Sequence, residues 1–301
     1  MLNFPYIWGD GSGALQFTNG CIFQYPASVK IPANVTTVSD SAGAFRNHIE
    51  VVSIEFDSGS QLGTLGNNSF SGCTGLKSVK FTTAQGLTIP NSCFYGDTSL
   101  EVVTFSGSIN AGSAISAFFN CYALTQATLE HILSKIGNNQ IAQSMFDNCT
   151  SITSVTLPDS VTTIGANAFR GCTSLVEIDF NNAIGFNGLG VIANCTSLKK
   201  VTFGDIPGSE YNPLSTGNIW SGCTAIEDVV IPSGWNRNLL ISNGTSNFTN
   251  VLTHDSMVAM INNLYDYSGG TAHALTLGTA NLARLSAAEI DIATAKNWSL
   301  A

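Results

Sequence analysis

The chain has 301 residues, a formal charge of -9 from 11 Lys+Arg against 20 Asp+Glu, and only 10% charged residues, against about 25% in ordinary soluble proteins. Neutralising phosphate needs a basic surface, so this composition argues against nucleic-acid binding. A hydrophobic fraction of 44% can build a packed core and argues against intrinsic disorder.

At the N-terminus the first basic residue is Lys30, and Met1–Asp10 (MLNFPYIWGD) is broken by Pro5, Gly9 and Asp10, so no secretory signal is recognisable. No apolar run approaches the ~20 residues that span a bilayer, and membrane insertion is not expected. Ala14–Tyr25 (ALQFTNGCIFQY) reads as strand, Asn-Gly turn, strand, which predicts a β-hairpin. Six aromatics (Phe4, Tyr6, Trp8, Phe17, Phe23 and Tyr25) crowd the first 25 residues. They suit either a cover for the open end of the core that follows or a docking segment for a larger assembly.

From Phe45 onward one unit recurs. Its clearest form is LPDSVTTIGANAFRGCTSLVEIDF (Leu157–Phe180), whose second half returns as FRNHIEVVSIEF, FSGCTGLKSVKF, FYGDTSLEVVTF, FFNCYALTQATL, FDNCTSITSVTL, IANCTSLKKVTF and WSGCTAIEDVVI. Eight copies at offsets of 23 to 28 residues have the period of leucine-rich repeats. Within L-x-x-V-x-F the last two apolar positions alternate, which predicts a short strand with one buried face; the A-F and G-C-T stretch predicts a tight helical turn. One copy cannot bury its apolar side alone. Stacking converts the copies into a solenoid with a parallel β-ladder.

The same alignment explains the cysteines. Cys73, Cys121, Cys149, Cys172, Cys195 and Cys223 share one repeat position, held by His48 and Asp97 in the other two copies. A buried packing column is expected rather than disulfides or a zinc site, since the Cys/His spacings that bind zinc are absent.

The segments IPANVTTV (Ile31–Val38) and LPDSVTTIGANAFRGCTSLVEIDF and the repeated C-T-S-L turns resemble the BspA-like leucine-rich repeat family over roughly residues 30 to 235. The resemblance implies a leucine-rich repeat solenoid, non-enzymatic, on surface proteins of host-associated bacteria or on phage virions, with host proteins or surface glycans as partners. The absence of an export signal favours a virion appendage over a secreted adhesin.

Three stretches interrupt the period: Glu130–Gln140, expected to be an inserted helical turn, and the loop-like Gly204–Ile219 and Ser233–Asn250. After Asn250 the character changes. Ser256–Tyr267 has helical apolar spacing, Ala274–Gly278 reads as a strand, and Ser286 with Glu289 forms a capping-box signature. The organisation expected is an N-terminal cap over 1–30, a repeat solenoid over 31–250 and a small α/β C-terminal cap over 251–301.

Outward strand positions should bring Glu55–Lys80, Lys77–Glu101, Glu177–Lys200–Asp228 and Lys199–Glu227 side by side across ~4.8 Å ladder steps, as exposed pairs worth little each. The run Thr104–Thr128–Thr156 is a candidate hydroxyl stripe. Tyr211, Trp235, Asn236 and Arg237 in the two late loops suit sugar stacking and hydrogen bonding. No Ser/His/Asp or Cys/His arrangement and no phosphate loop follow from the sequence, so neither catalysis nor a cofactor or metal is expected. The functional reading is a recognition module on a virion or cell surface, with a structural subunit contacting neighbouring virion proteins as one alternative and an enzyme acting on surface polysaccharide as another.

Overall fold

The fold is that of a computed structural model, which describes residues 14–15, 27–38, 44–84, 86–181, 183, 185–204, 218–236, 238–240 and 251–301. The chain divides into two compact units, Met1–Ile152 and Thr153–Ala301.

In the first unit, β1 (Ala27–Ile31), β2 (Val51–Phe56), β3 (Ser78–Phe81) and β4 (Val102–Phe105) form a parallel ladder in chain order. Ile54, Val79 and Val103 pair in register, as do Ser53, Ser78 and Val102. The period-two alternation predicted for L-x-x-V-x-F is therefore met: Ile54, Phe56, Val79, Phe81, Val103 and Phe105 are buried, and the residues between them face outward. Each coil then runs through a two-residue strand, such as Thr64–Leu65 or Leu87–Thr88, into the turn carrying the repeat Phe. Two columns of stacked rings fill the interior. Phe45, Phe70, Phe94, Phe118 and Phe146 follow one another at 5.1–5.5 Å, and Phe56, Phe81 and Phe105 at 5.0–5.1 Å.

The coil after β4 departs from expectation. Its residues form a helix, α1 (Gln126–Lys135), where a strand was predicted, and it begins before the predicted insertion at Glu130. The cause is local. Ala127 stands where other copies place Val or Ile, so a strand there would leave its middle inward position poorly filled. Leu129, Ile132, Leu133 and Ile136, at spacing i, i+3, i+4, i+7, cover the core as a helix face. Thr125 caps the N-terminus by accepting from the Thr128 N–H, and its own N–H donates to Glu101 O, continuing the ladder by one bond. His131 takes the place of the next ring, 6.5 Å from Phe105 with its Nε2 accepting the Phe105 N–H at 2.9 Å.

The second unit repeats this plan. Strands β5 (Ser154–Thr156), β6 (Glu177–Asp179), β7 (Lys200–Thr202) and β8 (Asp228–Val230) form a parallel ladder, and α2 (His254–Asn263) follows. The Thr253 N–H donates to Glu227 O, and the Ser256 hydroxyl accepts the Val229 N–H. Beyond it lie β9 (His273–Thr276), α3 (Thr279–Leu282), α4 (Ala287–Ala295) and β10 (Trp298–Leu300); β9 pairs in parallel with both Leu239–Leu240 and β10. The Ser286–Glu289 capping box starts α4 as its sequence signature indicated. Lys296 donates to the carbonyls of Ile261, Asn262 and Leu264, neutralising the C-terminal end of α2. Of the predicted hairpin Ala14–Tyr25, only Ala14–Leu15 is described; it pairs in parallel with Thr37–Val38.

Candidate functional site

The outward face of each ladder carries part of the predicted charge pairing. Lys80 Nζ lies 2.9 Å from Glu55 Oε1, Lys199 3.5 Å from Glu227 and Lys200 4.0 Å from Asp228. Lys77–Glu101 and Glu177–Lys200 form no ion pair among the described residues. All three pairs that form are exposed, so each adds little to stability; the hydrogen bond and charge of Lys80 hold the Glu55 carboxyl below the ordinary range.

The thiol column is buried, and it does more than fill space. Cys73, Cys121 and Cys149 in the first unit, and Cys195 and Cys223 in the second, each donate a hydrogen bond to a main-chain carbonyl of the preceding coil, those of Phe45, Phe94, Phe118, Phe169 and Ile192. The seven described cysteines are free and buried. Burial pushes the thiols of Cys73, Cys93 and Cys121 well above the ordinary range, which leaves them protonated and unreactive. Asp97 replaces a thiol in this column, fully buried, with Oδ1 accepting the Cys73 N–H at 2.8 Å and Oδ2 without a partner. Desolvation drives its carboxyl pKa well upward.

One Ser/Glu/His cluster does assemble, although no such arrangement was legible in the sequence. Ser286 Oγ donates to Glu289 Oε2 at 2.8 Å, and His254 Nε2 lies 3.1 Å from Glu289 Oε1. The carboxylate stands between the other two groups, so the hydroxyl is not held against the imidazole that a nucleophilic serine needs as base. Ser286 is the N-cap of α4, and its donated bonds hold Glu289 below the ordinary carboxylate range. No group of three or more metal-ligating side chains occurs among the described residues.

The predicted ligand residues are dispersed. Thr104 and Thr156 sit on β4 and β5 with side chains outward, one in each unit. Thr128 is corrected: it belongs to α1, is buried, and spends its hydroxyl on Glu101 O at 2.9 Å and on Thr125. The expected hydroxyl stripe therefore does not form. Trp235 is also corrected. It is buried, bridges to Leu264 and packs 5.7 Å from Phe203, because its ring completes the aromatic core beside β8. Asn236 is exposed, and its carbonyl accepts the Tyr267 hydroxyl at 3.0 Å. Tyr211 and Arg237 lie outside the described residues.

Sequence reasoning passed over a different group. Tyr95 is 41% exposed, and its ring stacks on Phe119 at 4.8 Å with 2° between planes. Beside it a hollow of about 390 Å³ is lined by Arg46, Asn47, Asn68, Ser71, Ser92 and Tyr95, with Gly72 and Gly96. The signal was present in FYGDTSL and FFNCYAL, where an aromatic follows the repeat Phe at a position held elsewhere by Arg, Ser, Asp or Ala.

The description "BspA type Leucine rich repeat region (6 copies)" matches residues 17–145 and 139–268, more than half of the chain. No curated protein sequence matches at a significant level. Among solved structures, a leucine-rich repeat protein from Bacteroides ovatus is similar at 20% identity, covering 66% of this chain and 71% of its own, with a TM-score of 0.35. A leucine-rich cell surface protein from Faecalibacterium prausnitzii is similar at 14% identity, covering 88% and 89%, with a TM-score of 0.28. A leucine-rich repeat protein from Eubacterium ventriosum shows 14% identity, coverage of 80% and 88%, and a TM-score of 0.35. The period, the Phe and thiol columns and this match over 17–268 agree, and the chain belongs to the BspA-type leucine-rich repeat family.

Proposed function

We propose that the protein is a non-enzymatic recognition module, displayed on a cell surface or virion appendage and attaching to a host protein or surface glycan. One observation carries the reading: in each unit the repeat directs its thiols inward and leaves a regular outward face, on which Glu55–Lys80 and Lys199–Glu227 pair. Such a face has area for contact and no activated group for chemistry. Proteins of this family are typically surface-associated, and no described helix is long and apolar enough to cross a membrane.

The test is attachment of the purified, labelled chain to host epithelial cells, matrix proteins and a glycan array, with product release from surface polysaccharides followed in parallel. Saturable attachment without product release is the expected result. Turnover of a polysaccharide would replace the reading with an enzymatic one. Failure to attach to any surface, combined with assembly into higher oligomers, would favour a structural subunit.

A further inference from the structure

We infer that the hollow between Arg46 and Tyr95 is a saccharide subsite, selective for a sugar ring that carries a carboxylate. The inference deepens the recognition reading and rests on it for its biological context, though not for its chemistry.

The argument begins with one column of the repeat. The residue following the turn Phe is Arg46, Ser71, Tyr95 and Phe119 in successive coils of the first unit. Tyr95 and Phe119 stack face to face at 4.8 Å, so one face of Tyr95 is covered. Its other face looks toward the coil of Ser71, whose small side chain leaves the place of a ring empty. Arg46 stands one coil further on. The adjacent Phe45–Phe70–Phe94 stack sets those two coil steps at 5.3 and 5.1 Å. Arg46 and Tyr95 are thus about 10 Å apart along the stack, by two ladder-like steps. A gap of two coil steps admits one saturated ring on the face of Tyr95, with a carboxylate of that ring reaching the N–H edge of the Arg46 guanidinium. The hollow, about 390 Å³, lies among these residues and falls in the size range of small-ligand sites.

The chemistry of the lining selects the ring. Arg46 forms no ion pair and no hydrogen bond among the described residues, on a chain whose formal charge is -9. A guanidinium binds a carboxylate through two parallel N–H···O bonds. The side chains of Asn47, Asn68 and Ser92 also line the hollow and have no hydrogen-bond partner among the described residues. A hydrocarbon ring seated there would desolvate these groups without replacing their hydrogen bonds, at a cost. A pyranose offers hydroxyls to them, an apolar C–H face to Tyr95 and, when oxidised at its terminal carbon, a carboxylate to Arg46. An acidic tyrosine-containing peptide could meet the Arg and the ring face but not the three polar side chains.

Calorimetric titration with tri-galacturonate, its fully methyl-esterified form and a Glu-Tyr-Glu peptide tests the assignment. Tri-galacturonate should bind, with the ester and the peptide at least tenfold weaker. Arg46→Ala and Tyr95→Ala should each weaken binding tenfold or more. Ser71→Phe supplies the missing ring from the protein itself, so it should keep or raise the melting temperature while removing binding. The subsite is overturned if the wild-type chain does not bind tri-galacturonate, if the ester or the peptide binds as tightly, or if the folded Ser71→Phe variant binds unchanged. Attachment to host surfaces by a wild-type chain that does not bind tri-galacturonate refutes the subsite and leaves the recognition reading standing. Uronate binding at the slot without attachment to any host surface does the reverse.

Discussion

Directly before the thiol position stand Asn47, Gly72, Gly96, Asn120, Asn148, Gly171, Asn194 and Gly222, all with φ between 60 and 78°. Only Gly, and to a lesser degree Asn, enters that region without a steric penalty from Cβ. Where Gly follows Asn in the next coil, a second reason operates. A Cβ at Gly72 would overlap Asn47 Oδ1, and one at Gly222 would overlap Asn194 Oδ1, whereas a Cβ at Gly96 meets nothing within 4 Å. Gly72→Ala and Gly96→Ala should each cost about 1–2 kcal/mol from the left-handed backbone, with Gly72→Ala only slightly the worse because the Asn47 amide can turn aside, as read from urea unfolding.

Asp97 gives a pH prediction at the same scale. Its carboxyl pKa is raised in the fold, so the unfolded chain ionises first as pH rises through ~3.9. Stability is then fully present below that value and declines toward the raised folded value. Asp97→Asn keeps an oxygen for the Cys73 N–H and removes the ionisation. It should match the parent near pH 3.5 and exceed it by about 1–3 kcal/mol near pH 7.5; thermal denaturation across that range checks the slope. Equal stability at both pH values would refute the assignment.

The two helices show what ends a ladder. Thr125, Thr128, Leu129, Ile132, Leu133 and Ile136 of the first unit correspond in spacing and role to Thr253, Ser256, Met257, Met260, Ile261 and Leu264 of the second. Each helix follows a four-stranded ladder, opens on a threonine N-cap whose N–H extends that ladder, and closes with a parallel bridge, Ile109–Ile136 or Trp235–Leu264. The two units thus end their ladders by the same strand-and-helix plan. Because each cap hydroxyl satisfies an otherwise orphan N–H, Thr125→Ala and Thr253→Ala should each cost about 1 kcal/mol. The loss should appear as faster amide exchange in the first turn of the affected helix.

At the scale of the whole molecule, stability rests on stacked rings and buried thiols rather than on surface charge. Raising salt should change the melting temperature little, since the ion pairs are exposed. In a Cys21→Ser variant the remaining seven thiols should stay unmodified by an aromatic disulfide reagent until denaturant is added. A fast-reacting equivalent in the native state would show that the thiol column is open.

The period, the inward Val and Phe positions, the shared thiol column and the capping box were all legible in the chain, because a repeat prints its packing requirement once per coil and a cap is a local hydrogen-bonding pattern. The change from strand to helix at Gln126–Lys135 was only half legible. Its apolar spacing was visible, but the competing L-x-x-V-x-F alignment was stronger until burial showed Ala127 outward and Thr128 inward. Trp235 read as a loop aromatic, since nothing local distinguishes a ring offered to ligand from one that completes a core. The Arg46–Tyr95 hollow could be decided only in three dimensions. Its walls come from coils separated by 49 positions in the chain, and their spacing exists only once stacking has set the distance from one coil to the next.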